Sequence, residues 1–575
     1  MACSQRMVLI GILLLLRSFA SSESLPYSYN DDLTSFITRP ELKAPKFIVN
    51  ASQSDQISPG FWFVTPYKNS TPDYQTSRWE PCQVGPHIFD NSGELVWSGA
   101  CMFENRNAFD FKTVDIGGET HLSLVLGYRE KPYMKGKGVI LNQNYEITNE
   151  LSTSDDFDDF NFHEFTVSGQ ELSALHLRES MIFHNYTDDA GIRKELWSVH
   201  GGFREIDIQS GDTIFRWDSV GKVKHDESSK HWERRNKTTL VWDFMHINAV
   251  DKNKEGDYLV SVRHTDTIYK VSGKDGSIIW RLGGRYSDFI SDFRFSRQHH
   301  TRWLSTNETH ATISFLDNAS DLEFQIANVS SGFIVSLHTA ASPMTATLIE
   351  RYDRPDESLT RLRGSVQILP NDNVLVSWSK QGYMSEFTRR GRSIMDASFA
   401  SKRFNTYRAF KSNFTGFPSE QPVLKAFTYG VGASSAVTIA FVSWNGATEV
   451  RSWNFYDGST QASIEAPVGN IKKDGFETLF TFNGLLENVW AEALDADGRS
   501  LGKTSVENTA IPATFGHYME HQNVHQEGTQ MVGSEFRWVT SNTYVSPAPL
   551  IFLMSGGVLL YITFKHRHMF RWLLR

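Results

Sequence analysis

From about residue 60 to residue 400 the chain is dominated by short runs in which apolar and polar positions alternate, each closed by a polar turn. GPHIFDNSGELVWSG (85–99), EIDIQSGDTIFRWDS (205–219) and DTIYKVSGKDGSIIWRLGG (266–284) each read as strand, turn, strand. FTVSGQELSALHL (165–177) and VQILPNDNVLVSWSKQGYMSEFTRRGRSI (366–394) repeat the pattern more faintly. Stretches of helical period are few, so the predicted fold is all-β. In the first three hairpins a tryptophan (Trp97, Trp217, Trp280) follows the turn after two or three apolar residues. A Trp recurring at one point of a hairpin can pack between neighbouring sheets, as β-propeller blades do, and the spacing fits a unit of about 60 residues with inserted loops.

Beyond about residue 415 the texture stays β-rich but loses the blade pattern, in VTIAFVSWNGATEVRSWNFY (437–456) and NVWAEALDADGRSLGKT (488–504). The expected layout is a propeller over 21–415, a smaller β module or closing strands over 416–504, and a polar stalk over 505–543. Residues 1–20 read as a secretory signal, with a basic start, an apolar run from Met7 to Leu16 and small residues up to Ala20. Residues 544–564 are charge-free and long enough for one transmembrane helix, and the basic tail 565–575 should stay cytosolic. These segments predict a single-pass type I membrane protein of the secretory pathway or cell surface. N-x-[ST] sequons at Asn50, Asn69, Asn185, Asn236, Asn307, Asn318, Asn328 and Asn413 fit passage through a glycosylating compartment. Outside the signal only Cys82 and Cys101 remain, which predicts one disulfide and argues against a zinc site.

Composition narrows the partners. Fifty-seven Lys and Arg against 66 Asp and Glu give a formal charge of -9, so no global basic field exists to hold nucleic acid. The acidic run SDDFDDF (154–160) lacks the ligand spacing and turn glycine of a calcium loop and reads as a solvated loop. No metal or cofactor is assigned.

The chemistry-bearing residues cluster at strand starts. If FMHINAV (244–250) is a regular strand, His246 and Asn248 share a face, and Arg263 on the next strand reaches the same side. His163 stands at a strand start in DFNFHEF (159–165). In RQHHTRW (297–303) a regular strand would send His299 and His300 to opposite faces, so at most one of them addresses a small site. In a propeller such strand ends would meet at the central channel as a basic pocket suited to an oxyanion.

WDFMHINAV, SVRHTDTIYKV, GSIIWRLGG, RQHHTRW and ISFLDNAS, in that order, with HEF and GPHIFDNSGELVWSG upstream, resemble the arylsulfotransferase family, in particular its eukaryotic, fungal-type branch. The resemblance implies a six-bladed propeller and a small-molecule aryl sulfate and phenol as substrates. It also implies sulfuryl transfer through a sulfohistidine, with no nucleotide donor. By motif, His299 is the implied nucleophile, Arg263 stabilises the transferring group, His246 or His163 moves protons, and Asn248 orients a neighbour. A competing reading is a membrane-tethered propeller that only binds an anionic ligand, a glycan or a protein. A metal-dependent hydrolase is disfavoured, because Arg263 would repel a cation.

Overall fold

The computed structural model describes residues 32–512 apart from 68–80, 131–132, 153–158, 188–192, 231–240, 322, 431, 460 and 462–465. The predicted signal, most of the stalk, the transmembrane segment and the tail lie outside the described residues. No helix among the described residues is long and apolar enough to cross a membrane.

The fold is all-β and compatible with a propeller-like architecture, with only short 3-10 turns besides strands among the described residues. Its units are antiparallel meanders laid down in chain order. One runs Ile247–Lys252, Tyr258–Val262, Thr267–Val271 and Ile278–Gly283. The next runs His299–Thr306, His310–Asp317, Ser331–His338 and Met344–Asp353, with Phe289–Ser291 added in parallel at its outer edge. A third, Ser365–Ile368, Val374–Ser377, Met384–Phe387 and Ser393–Phe399, takes Phe47–Ala51 from the N-terminal region as its edge strand. Ahead of these, residues 108–218 form one sheet of two meanders, which start at Ala108–Ile116 and Asp159–Ser168 and join through the pair Asn161 and Lys135. In the remaining meander Phe410–Ser412 pairs with Phe61–Val64, which continues into His87–Phe89 and Leu95–Ser98. Late and early chain therefore share a sheet.

The recurring tryptophans sit at the seams. Trp97 stacks on Tyr145 at 4.7 Å and meets Phe111, both in the following meander. Trp217 is fully buried and donates its Nε1–H to the Gly276 carbonyl at 3.0 Å, again one meander onward. Trp280 meets Trp303 edge-on at 6.1 Å. Each such aromatic pair adds about 0.5–1.5 kcal/mol beyond its buried area.

Two further sheets, from Val423–Tyr429 to Glu507–Asn508, enclose a cluster around Trp453, Phe455, Phe480 and Val489. Tyr145 Oη donates to the Gly446 carbonyl at 2.8 Å and Asn445 accepts from Ser98 N–H, which ties these sheets to the 108–218 sheet and to the 61–98 strands. Cys82 and Cys101 are disulfide-bonded. One sequon is sealed in the interior: Asn318 has no exposed surface, and its side-chain amide donates to the Arg363 carbonyl. Asn50, Asn185, Asn307, Asn328 and Asn413 are exposed, and Asn69 and Asn236 lie outside the described residues.

Candidate functional site

Among the described residues, four of the six meanders open with a strand whose beginning is irregular. Pairing register breaks at Phe109–Lys112, Asn161–Phe165, Ile247–Ala249 and His299–Arg302, and Asp110, His246, His300 and Arg363 adopt positive φ. Bulges re-aim side chains that a regular strand would alternate, and a non-glycine residue at positive φ costs about 1–3 kcal/mol unless its surroundings hold it. Here the surroundings are the neighbouring meanders' own first strands.

Tyr407 and Arg408, just ahead of the Phe410–Ser412 strand, are the hub. Tyr407 Oη lies 3.0 Å from His299 Nε2 and 3.1 Å from the His163 carbonyl. Arg408 is fully buried and donates to Asp110 at 2.7 Å, Glu164 at 3.2 Å and the Asn248 carbonyl at 2.8 Å. Glu164 also holds Arg302, and Asp110 holds Lys112. His299 Nδ1 sits 2.7 Å from the Gly364 carbonyl. Residues in, or just ahead of, the first strand of every meander named above therefore touch one another here, and the buried charges are paired as such groups require.

His299, 2% exposed, donates Nδ1–H to Gly364, so Nε2 carries the lone pair and faces Tyr407. Burial, reinforced by Arg408, holds its pKa well below the usual imidazole range. His300 is buried too, with its ring 5.6 Å from Phe410 and Nδ1 lacking a partner among the described residues. The doublet parts through a bulge, not by the regular alternation expected, and neither ring faces open water.

His246 also departs from expectation. The strand begins at Ile247, one residue after it, so His246 and Asn248 do not share a face. Asn248 points inward, where it donates to the Gln298 carbonyl at 2.8 Å and accepts from His300 N–H at 3.3 Å, pinning the histidine doublet. His246 instead pairs Nδ1 with Asp243 at 2.6 Å and keeps 27% of its side chain exposed. Its ring lies 5.1 Å from His163 and 4.8 Å from His264. His163 is oriented by Asn161 at Nδ1, and His264 by the Asp243 carbonyl at 2.8 Å. In all three rings an oxygen takes Nδ1–H, which leaves the Nε2 lone pairs without a partner among the described residues. Burial, with His246, Arg408 and Arg363 nearby, keeps His163 neutral at pH 7, and burial does the same to His264.

Arg263 follows the Tyr258–Val262 strand, and its N–H bonds to the His246 carbonyl. Its guanidinium donates to the carbonyls of Arg297 at 2.8 Å and Arg361 at 2.5 Å and to Asn318 at 3.2 Å, and burial lowers its pKa to about 10. Part of its five-donor fork remains unspent. Arg363 adds a second cation, donating to Tyr67 Oη at 2.7 Å.

Sequence reasoning missed Asp243, His264, Arg363, Tyr407 and Arg408. The first two stood inside the quoted motifs: Asp243 three residues before His246, and His264 directly after Arg263. No metal ligands were expected, yet Asp243, His246 and His264 bring donor atoms within 4.8 Å of one another, a set that could hold a cation. Burial is what chiefly lowers the His264 pKa; Asp243 opposes that lowering, and His246, Lys230 and Arg263 add to it.

Comparison with known proteins finds a family match over the same residues. The arylsulfotransferase (ASST) family model matches residues 129–400. No curated protein matches the chain. Among solved structures, a protein of unknown function from Bacteroides caccae is similar at 9% identity over 62% of this chain and 99% of that one, with a TM-score of 0.32. A member of the duf4221 family from Bacteroides vulgatus is 10% identical over 80% of this chain and 87% of that one, with a TM-score of 0.21. At such scores neither likeness bears on fold or chemistry. The matched residues 129–400 carry His163, His246, Arg263 and His299, and the match supports an arylsulfotransferase-family assignment for that part of the chain.

Proposed function

We propose that the protein transfers a sulfuryl group from an aryl sulfate ester to a phenolic acceptor, through a sulfohistidine and without a nucleotide donor. The carrying observation is the convergence of His163, His246, Arg263 and His299, distant in sequence, on one basic centre with each Nδ1 of the three histidines held by an oxygen. His299 Nε2 attacks sulfur, the N–S bond forms, and the S–O bond to the aryl group breaks with its electron pair leaving on the phenolate. Tyr407 has two acceptors for one hydroxyl proton; turning it to the His163 carbonyl and swinging aside frees Nε2. The remaining donors of Arg263 stabilise the sulfuryl oxygens. His246, with Asp243 fixing its tautomer, takes the acceptor's proton at Nε2 as the phenol oxygen displaces the histidine.

The fold we propose around this centre is a six-bladed propeller over 21–415, closed by Phe410–Ser412 against Phe61–Val64, with a smaller β module over 416–504. Its support is that first-strand residues of successive meanders meet at Tyr407 and Arg408. A type I topology with a lumenal or extracellular catalytic face completes the proposal, supported by the charge-free segment 544–564 and the basic tail.

A second reading, binding of an anionic ligand, a glycan or a protein partner without turnover, is favoured by one observation: His299 Nε2 is capped by Tyr407 in a residue only 2% exposed. Incubating the purified protein with a chromogenic aryl sulfate and a phenol, with no nucleotide present, separates the two. Phenol release and a trapped sulfohistidine are expected; absence of both leaves the binding reading standing.

A further inference from the structure

Beside the histidine centre, but walled off from it, a cleft of about 520 Å³ opens between the meanders that begin at Ile247 and His299. The wall is Arg297. Its backbone carbonyl faces the centre and accepts from Arg263, while its guanidinium, 2% exposed, is consumed by Asp266, Asp321 and Ser229.

The cleft's chemistry differs from that of the centre. Phe289, Phe293, Phe295, Phe324 and Ile326 line it, and Phe324 and Ile326 remain 46% and 39% exposed. Phe293 and Phe295 stack at 6.1 Å, and Phe324 lies over the Arg297 guanidinium at 5.4 Å. Gly283, at φ +82°, forms part of the lining, and a Cβ there would come within 2.4 Å of the Phe295 ring, so glycine lets the turn close onto the aromatic wall. A volume of this size accommodates a drug-sized or smaller ring system.

Charge in the cleft is asymmetric. Glu227 accepts from Tyr269 Oη and Arg281, Asp266 from Arg297 and Ser229, and Asp226 from Tyr286 Oη through Oδ2, while Asp226 Oδ1 has no partner among the described residues. Arg294 is exposed and makes no hydrogen bond or ion pair among the described residues. An apolar aromatic wall beside an unspent guanidinium is complementary to a flat ring carrying a negative charge.

We infer that this cleft is a second binding site, for an aromatic anion such as an aryl sulfate or aryl sulfonate, distinct from the histidine centre. The inference stands whether or not the centre turns over.

The test is calorimetric titration of the full chain with 2-naphthalenesulfonate, which has no transferable ester. Saturable binding is expected, weakened about tenfold or more by Arg294→Ala and several-fold by Phe324→Ala, with His246→Asn unchanged. Both cleft side chains are exposed, so neither substitution threatens folding. Neutral 2-naphthalenemethanol and non-aromatic ethanesulfonate should each bind more weakly. The inference fails if the sulfonate does not bind saturably, if Arg294→Ala binds as well as wild type, or if His246→Asn alone abolishes binding, which would place the ligand in the histidine centre.

Discussion

Acidification should unfold this protein early, because its interior holds imidazoles that stay neutral only in the folded state. Burial pushes His87 and His176 down to about 4. His163, His264, His299 and His300 are held well below their usual value, again first by burial. An unfolded imidazole titrates near 6.5, so below that pH the unfolded chain binds protons that the native chain refuses, and stability falls as pH falls. The contribution is fully present above about pH 6.5 and is lost downward toward the folded value. For His87 and His176 that window runs from about 6.5 to about 4, at about 1.4 kcal/mol per pH unit, or about 3 kcal/mol each. Asp317 works the other way: burial raises it to about 7, so the native state binds its proton first and gains stability as pH drops, offsetting about one histidine.

With a total stability of about 5–15 kcal/mol, several such histidines are enough to unfold the protein above pH 4. Urea unfolding midpoints at pH 8, 7, 6 and 5 measure this directly. The midpoint should hold between pH 8 and 7 and then fall with a slope equal to several protons. His176→Phe, which keeps the stack on Phe160 and removes an Nε2 without a partner among the described residues, should reduce that slope by about one proton, or about 1.4 kcal/mol per pH unit. A midpoint unchanged from pH 7 to 5, or a slope untouched by His176→Phe, would refute the reasoning.

Arg408→Met strands Asp110 and Glu164 beside fewer cations and is expected to cost about 3–5 kcal/mol in chemical unfolding; a loss under about 1 kcal/mol would show the network is not a hub. His299→Asn should abolish sulfuryl transfer from a chromogenic aryl sulfate, while His300→Asn, beside Phe410, only weakens it; equal loss in two folded variants would overturn the assignment. Trp217→Ala should destabilise by about 3–5 kcal/mol, read from the unfolding midpoint, because it empties the core beside Phe203 and leaves the Gly276 carbonyl across the seam unpaired.

The hairpins and the seam tryptophans were legible because period-2 alternation and turn glycines are local signals. Trp97, Trp217 and Trp280 each announce a packing partner that lies one meander further along. The site was legible only as a list. Strand logic put His246 and Asn248 together and drew His299 and His300 apart by simple alternation. A break in pairing register next to each of those residues reset both relations. Such irregularities are held by contacts from other meanders, which no local pattern encodes. Tyr407 and Arg408 were invisible for the same reason, since NTYRAF looks ordinary until the chain closes on itself.

That closure ties the chemistry to the fold. The Phe410–Ser412 strand pairs with Phe61–Val64, strands that lie hundreds of residues apart in the chain, and long-range pairing of this kind must overcome the entropy of a large loop before it is rewarded. The residues just before that strand are the ones that cap His299, hold the His163 carbonyl and neutralise Asp110 and Glu164. Without them, Asp110 keeps only Lys112 and Glu164 only Arg302 as a charged partner. The histidine centre is therefore completed by that pairing, and the charges that surround it are among those that favour closure.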